Sequence, residues 1–216
     1  MKTALVIGAT GLVGYQLVKQ LMEDKDFGKV VVFSRRVTGL VSPRLEEHLI
    51  DFDHPEQWQH LVKGDVLFSA LGTTLARAGS KKAQYKVDHG YQFQFAAAAA
   101  RNAVPAYVLV SSAGASPKSM TFYMRMKGEL ERDVKGLLFS SLALIKPGPL
   151  VGARPEKRFG EQLGLAVIFF FNGLGLFRKY RPIKGEEVAR AMIKAYKQGK
   201  PGVSSYNLDA LFDLAR

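Results

Sequence analysis

The sequence of 216 residues contains no cysteine. That excludes disulfide staples, thiol nucleophiles and thiolate metal sites. Histidine is scarce: only His48, His54, His60 and His89 occur, with no H-E-x-x-H or comparable ligand spacing, so no metal centre is expected. Long hydrophobic runs are also missing. The longest, Gly164–Phe177 (GLAVIFFFNGLGLF), falls short of the roughly 20 residues that cross a bilayer. It reads first as a buried or lobe-covering helix and second as an apolar lid over a substrate pocket. A third reading is contact with a membrane surface through Arg178, Lys179, Arg181 and Lys184, which is not expected. The opening stretch MKTALVIGATG has one lysine and a short apolar run broken by Gly8, which makes a poor secretory leader; a cytoplasmic location is expected. Acid is in short supply, with 19 Asp and Glu against 31 Lys and Arg, a net charge of +12. Such a balance favours anionic partners. The basic residues are scattered and not interleaved with aromatics, so no specific nucleic-acid surface is expected. A phosphorylated small ligand needs only two or three of them.

Short apolar, β-branched runs are present in abundance and alternate with helix-like segments. The runs are Thr3–Gly8, Lys29–Ser34, His48–Asp53, Asp65–Gly72, Ala106–Ser112 and Ser140–Gly148. Between them lie apolar-periodic stretches at Val13–Glu23, Pro55–Val62, Lys82–Asn102 and Phe122–Lys135. Continuous apolar strands joined by helices predict a parallel sheet covered on both faces, an α/β doubly wound (Rossmann) fold. After Pro147 the sequence turns to Gly, Pro and charge, then to a helix at Lys184–Gln198, a strand-like VSSYNL and a short terminal helix. Residues 1–146 are read as the nucleotide-binding core and 147–216 as a small substrate-side cap integrated with it, one domain overall.

The first strand runs into Gly8, Gly11 and Gly14 (LVIGATGLVGYQL) and then a helix. In that context the glycines allow a tight turn, approach of the backbone to a pyrophosphate, and close packing of the helix on the sheet. The helix start then offers N–H donors and a positive dipole end to phosphates. Thr10, Leu12 and Val13 complete this cofactor-binding turn. The second strand ends in Ser34, Arg35 and Arg36, where an NAD site usually carries an acid. An arginine fork pairs with a 2′-phosphate, so NADP is the expected cofactor. Asp51 is a candidate acceptor for the adenine amino group, and Ala70, Leu71 and Gly72 are expected beside the central ribose and phosphates.

The spacing Y-x-x-x-K occurs four times: Tyr15/Lys19, Tyr123/Lys127, Tyr180/Lys184 and Tyr196/Lys200. The first lies behind the phosphate turn. The third contains Pro182, and the fourth runs through Gly199 at a helix end. Tyr123 and Lys127 differ. They begin the helix that follows Ser112, at the carboxyl end of the fifth strand where ligands bind in such sheets. Spaced i,i+4, they share one helix face.

Together, Gly8/Gly11/Gly14, Ser112, Tyr123, Lys127 and the turn KPGPLVG (Lys146–Gly152) resemble the short-chain dehydrogenase/reductase superfamily. The segments GATGLVG, SRR, ALGTT, VDHGY, LVSSAGA, YMRMKGELE and IKPGPLVG resemble its atypical branch, which includes the Tat-interacting protein. Lys146 stands where that family usually has arginine; Asp88 and His89 lie near the place of its asparagine. The resemblance implies an NADPH-dependent reductase of a small carbonyl or alcohol. In it Tyr123 acts as acid–base, Lys127 holds the nicotinamide ribose and supports Tyr123, Ser112 bonds the carbonyl oxygen, and Pro147 contacts cofactor. As the second reading it implies a catalytically weak NADP-binding regulator or redox sensor acting through a protein partner. Non-redox cofactor use is a third reading. A monomer and a homodimer both fit the sequence.

Overall fold

A computed structural model of the chain describes residues 1–151 and 181–216. Seven parallel strands form one sheet: β1 (Lys2–Ile7), β2 (Phe27–Ser34), β3 (Leu45–Leu49), β4 (Val66–Ser69), β5 (Ala106–Val110), β6 (Ser141–Lys146) and β9 (Gly202–Asn207). Their spatial order is β3-β2-β1-β4-β5-β6-β9. The order reverses between β1 and β4, and such a switch point opens a crevice at the carboxyl ends of the strands. A second parallel pair is formed by β7 (Leu150–Val151) and β8 (Ile183–Lys184). The expected doubly wound sheet with a small C-terminal cap is therefore present.

Alternation along each strand sorts the side chains between two helical layers. Ala4 and Val6 of β1 face α1 (Leu12–Glu23) and the C-terminal helices α7 (Gly185–Lys197) and α8 (Asp209–Ala215). Leu5 and Ile7 face the other layer, built from α2 (Pro55–Trp58), α5 (Gln92–Arg101) and α6 (Phe122–Lys135). All four are fully buried. Burying a side chain such as Leu5 or Ile7 contributes about 1.5–3 kcal/mol, so this one strand anchors both layers. The tail 181–216 supplies the seventh strand as well as helices. Helix α7 runs beside α1: Gln20 donates to the Glu186 carbonyl at 3.0 Å, and Lys197 sits 2.6 Å from Asp24 and 2.7 Å from Asp26.

Two elements differ from their sequence expectation. The third strand is Leu45–Leu49 rather than His48–Asp53. It is an edge strand, half-exposed and tied to β2 through Lys29 and Glu46 at 2.6 Å, so it needs little apolar character. The apolar residue that follows, Phe52, leaves the sheet and packs against Trp58, Tyr91 and Phe95. The stretch expected to form one helix over Lys82–Asn102 is broken. Two short helices, α3 (Leu75–Ala78) and α4 (Lys81–Tyr85), lead into a π-helical turn at Lys86–Tyr91, and only then does α5 begin. The expected apolar helix or lid at Gly164–Phe177, and Tyr180, lie outside the described residues. Among the described residues no helix is long and apolar enough to cross a membrane, and no group of three or more potential metal ligands occurs.

Candidate functional site

The loops at the switch point build a cleft of about 660 Å³. Its floor is Gly8, Thr10 and Gly11 after β1, with Ala70, Leu71, Gly72 and Thr73 after β4. Gly8 has φ +85°, and a Cβ on it would lie 2.4 Å from the Ala70 carbonyl carbon and the Leu71 nitrogen. A Cβ on Gly14 would lie 2.1 Å from the Gly8 oxygen. Glycine at both positions thus lets β1, the β4 loop and α1 converge at van der Waals distance. Helix α1 starts with no side-chain cap and no acid in its first turn. Its positive dipole end therefore keeps its pull on an anion.

The rim carries Ser34, Arg35 and Arg36 after β2, then Arg77 and Lys86; among the described residues no Asp or Glu lines the cleft. Ser34 fixes the turn by donating to the Arg36 carbonyl at 2.5 Å. Lys86 meets Asp53 at 2.6 Å, and the Tyr91 hydroxyl donates to the same carboxylate at 2.8 Å. The hydrogen bond to Asp53 raises the lysine above its ordinary value despite some desolvation. Phe33, Phe52 and Tyr91 give this end an aromatic wall. Asp51 is not among the lining residues. The displaced third strand leaves it in an exposed turn, where its carboxylate accepts the Asp53 N–H at 2.9 Å and its carbonyl accepts the Trp58 indole at 2.9 Å. Leu12 and Val13 lie behind the floor: Val13 is buried in the α1 core layer, and the Leu12 oxygen would be 2.7 Å from a Cβ on Gly185.

A second cluster lies at the carboxyl ends of β5 and β6. The Ser111 N–H donates to Ile145 at 2.7 Å and the Ala113 N–H to the Pro147 carbonyl at 2.9 Å, so Ser112 is held between two fixed amides. Pro147 is itself buried. Helix α6 presents Tyr123, 39% exposed, and one turn on Lys127, 4% exposed. Next to Lys127, Gly128 admits the Ser112 loop: a Cβ there would be 2.1 Å from the Ser116 carbonyl carbon. The Lys127 ammonium is 3.3 Å from Asp88 in the π-helical turn, and both are buried. Burial alone would push this ammonium down. The charge of Asp88, with further contributions from Tyr123 and Glu131, overcomes that and holds it above the ordinary lysine value.

Glu131 lies one turn beyond Lys127 and accepts the Ser111 hydroxyl at 2.5 Å while pairing with Lys146 at 2.8 Å. Lys146 in place of arginine is therefore firmly engaged. The role of Glu131 escaped sequence reasoning; its one available signal is the i,i+4 spacing from Lys127 on a helix that faces the site. Two of the other tyrosine–lysine pairs, Tyr15/Lys19 and Tyr196/Lys200, lie elsewhere. Tyr196 packs on Phe27 and Phe68, and Lys200 sits over the Tyr206 ring. Tyr15 is on α1 with 37% exposure.

Solved structures of the same shape include UDP-glucose 4-epimerase from Thermotoga maritima, with a TM-score of 0.72 and 15% identity over 99% of this chain and 81% of that one. WbmH of Bordetella bronchiseptica, solved with NAD+, gives a TM-score of 0.72 and 16% identity over 96% and 76%. At such identities the likeness establishes the fold alone, a parallel Rossmann-type sheet. The profile of the NAD(P)H-binding family matches residues 8–136, and the chain belongs to that family. Relatives of higher identity are fungal. Protein FMP52, mitochondrial, of Saccharomyces cerevisiae is 37% identical over 86% of this chain and 84% of its own length. Protein FMP52-1, mitochondrial, of Scheffersomyces stipitis is 34% identical over 98% of each. These names overturn the expected cytoplasmic location. That expectation rested on the lack of a secretory leader, whereas mitochondrial import reads a different, amphipathic and arginine-rich pattern.

The cleft suits the dinucleotide that the family implies. Its volume is that of a small-molecule site, its floor is glycine at atomic contact, and the described rim carries Arg35, Arg36, Arg77 and Lys86.

Proposed function

We propose that the chain is an NADP(H)-dependent oxidoreductase that reduces a small carbonyl substrate through Ser112, Tyr123 and Lys127. The observation that carries this reading is the buried, charged Lys127 one helical turn from the solvent-reachable Tyr123, with the Ser112 loop seated on the same helix. In this reading Gly8, Thr10 and Gly11 hold the pyrophosphate. Ala70, Leu71, Gly72 and Pro147 flank the central and nicotinamide portions, and Ser34, Arg35 and Arg36 hold the 2′-phosphate. Asp51 is not among the residues lining the cleft, so it is left out of this set.

A bound NADPH supplies the hydride that reduces the carbonyl carbon. The residues supply the rest. Tyr123 delivers the proton to the carbonyl oxygen as negative charge develops there. Ser112 donates a hydrogen bond to the same oxygen. The Lys127 ammonium stabilises the phenolate left on Tyr123, whose intrinsic pKa of roughly 10 is otherwise poorly matched to neutral pH. Placement beside the Tat-interacting branch is part of the same reading.

The test is a screen of aldehydes, ketones and quinones for NADPH oxidation, with Tyr123→Phe as control. The expected outcome is turnover that the variant abolishes while its affinity for NADPH holds. Full activity in Tyr123→Phe sinks the assignment. Tight NADPH binding with no turnover on any carbonyl favours a regulator acting through a protein partner.

A further inference from the structure

We propose that Asp88 is the positioning residue of this site: as the buried counter-ion of Lys127 it fixes the ammonium beside Tyr123 and lets it stay charged where water does not reach. The proposal rests on the Ser112–Tyr123–Lys127 reading above. Asp88 and Lys127 are 1% and 4% exposed, and their charged atoms are 3.3 Å apart. An isolated ammonium at such a place is costly, and in a protein it loses its proton instead.

The carboxylate is not free to turn away. Its other oxygen accepts the Thr73 N–H at 2.7 Å, at the loop that floors the dinucleotide cleft. A Cβ on Gly72 would lie 3.1 Å from the first oxygen, so the loop closes over the pair. The backbone is held as firmly. The Asp88 carbonyl accepts from the Gln92 side-chain amide at 2.6 Å, and the Gln92 oxygen accepts the Ser69 hydroxyl at the end of β4 at 2.6 Å. These bonds anchor the π-helical turn Lys86–Tyr91, the local irregularity that carries Asp88 inward from a helix surface.

Among the described residues, the groups facing Lys127 are Asp88 from the π-helical turn and Tyr123 and Glu131 from its own helix. Beyond Glu131 stand Lys146 of β6 and Ser111. The charges of Lys127, Asp88, Glu131 and Lys146 cancel. Of these four groups, Asp88 is the one paired directly with the Lys127 ammonium, so the charge beside Tyr123 depends on Asp88 staying ionised.

The experiment labels the lysine side-chain ε-carbons with ¹³C and follows them by NMR against pH in the cofactor-free chain. Lys127→Arg assigns the Lys127 signal. In the parent the signal is expected to titrate above those of exposed lysines. In Asp88→Asn, which keeps an oxygen for the Thr73 amide, it is expected to titrate at least about one pH unit lower. Asp88→Glu restores the parent behaviour. With a carbonyl found in the screen, the alkaline limb of kcat/KM moves to lower pH in Asp88→Asn to match. A parent Lys127 signal at or below the exposed lysines overturns the proposal. So does an unmoved signal in folded Asp88→Asn, or an activity loss equal at every pH. If Tyr123→Phe stays active while Asp88→Asn still shifts Lys127, the ion-pair coupling stands and the Ser-Tyr-Lys reading falls.

Discussion

Replacing Gly128 by alanine separates the geometry of the reacting groups from the binding of the dinucleotide. The added methyl carbon would start 2.1 Å from the Ser116 carbonyl carbon, 2.4 Å from the Pro117 nitrogen and 2.5 Å from the Ser116 Cα. All three are backbone atoms, so no flexible side chain can swing aside. Ordinary carbon contacts need about 3.5–4.0 Å, so loop and helix must part by more than ~1 Å. The loop is also tethered: the Ser116 N–H donates to Met124 at 3.1 Å, and the Arg125 guanidinium holds the Ser119 and Met120 carbonyls at 3.1 and 3.3 Å. Overpacking of this kind costs about 1–3 kcal/mol, and alanine's better helix propensity returns about 1 kcal/mol. Urea unfolding should therefore show a net loss of at most about 2 kcal/mol, with a folded protein at room temperature. A misplacement near 1 Å between Ser112 and the Tyr123–Lys127 face costs about 100-fold in kcat. The cradle at Gly8, Gly11 and Ala70 is elsewhere, so the NADPH Kd measured by fluorescence titration should stay within about threefold, under 1 kcal/mol. Turnover equal to the parent's in folded Gly128→Ala refutes the claim that the Ser112 loop and α6 must meet at this distance. A large rise in Kd refutes the claimed separation of cradle and reacting groups.

Two further outcomes are expected. Arg35→Ala should weaken NADPH by about 1.5–3 kcal/mol, the range for a hydrogen bond to a charged group, and leave NADH nearly unchanged; equal NADPH and NADH affinities in the parent contradict the 2′-phosphate argument. Asp133 is held below the usual carboxylate range, chiefly by its hydrogen bond to Arg132 and, against some desolvation, also by His89 at 2.8 Å. A depressed folded pKa gives stability that is present above the unfolded value of about 3.9 and lost as pH falls through the folded value. The stability gap between the parent and Asp133→Asn in urea titrations should thus be open at pH 7 and close in acid. A gap independent of pH shows that the ionised carboxylate contributes nothing.

The strand–helix rhythm carried most of the fold because its signals are local. Helix α6 has the bounds its periodicity predicts, Phe122–Lys135. The glycine triplet marked the cleft floor because positive φ and close approach leave few alternatives to glycine. The third strand was misplaced because apolarity was taken as the mark of a strand. At a sheet edge, LEEHL forms the ladder through cross-strand charge, and the apolar Phe52 beyond it belongs to an aromatic cluster. The π-helical turn was invisible for a different reason. Nothing in KVDHGY distinguishes it from α-helix; it is held by Ser69 and Gln92, 23 residues apart. The partner of Lys127 was likewise unreadable, since Asp88 and Lys127 meet only after β4, the π-helical turn and α6 have assembled.

Helix α7 buries Val188, Ala189, Ala191, Met192 and Ile193 on the layer that also covers β1, with Gly185 against the Leu12 backbone. The face first exposed by the emerging amino-terminal strand and helix is thus closed by residues made 166 to 173 positions later. At a translation rate of about 5–20 residues per second, that apolar flank stays uncovered for on the order of ten seconds or more. The nascent chain therefore has a long window in which a chaperone, or another nascent copy, can reach the surface that α7 will occupy. Shortening the chain from its carboxyl end should lower the yield of soluble protein well before it touches any residue of the cleft.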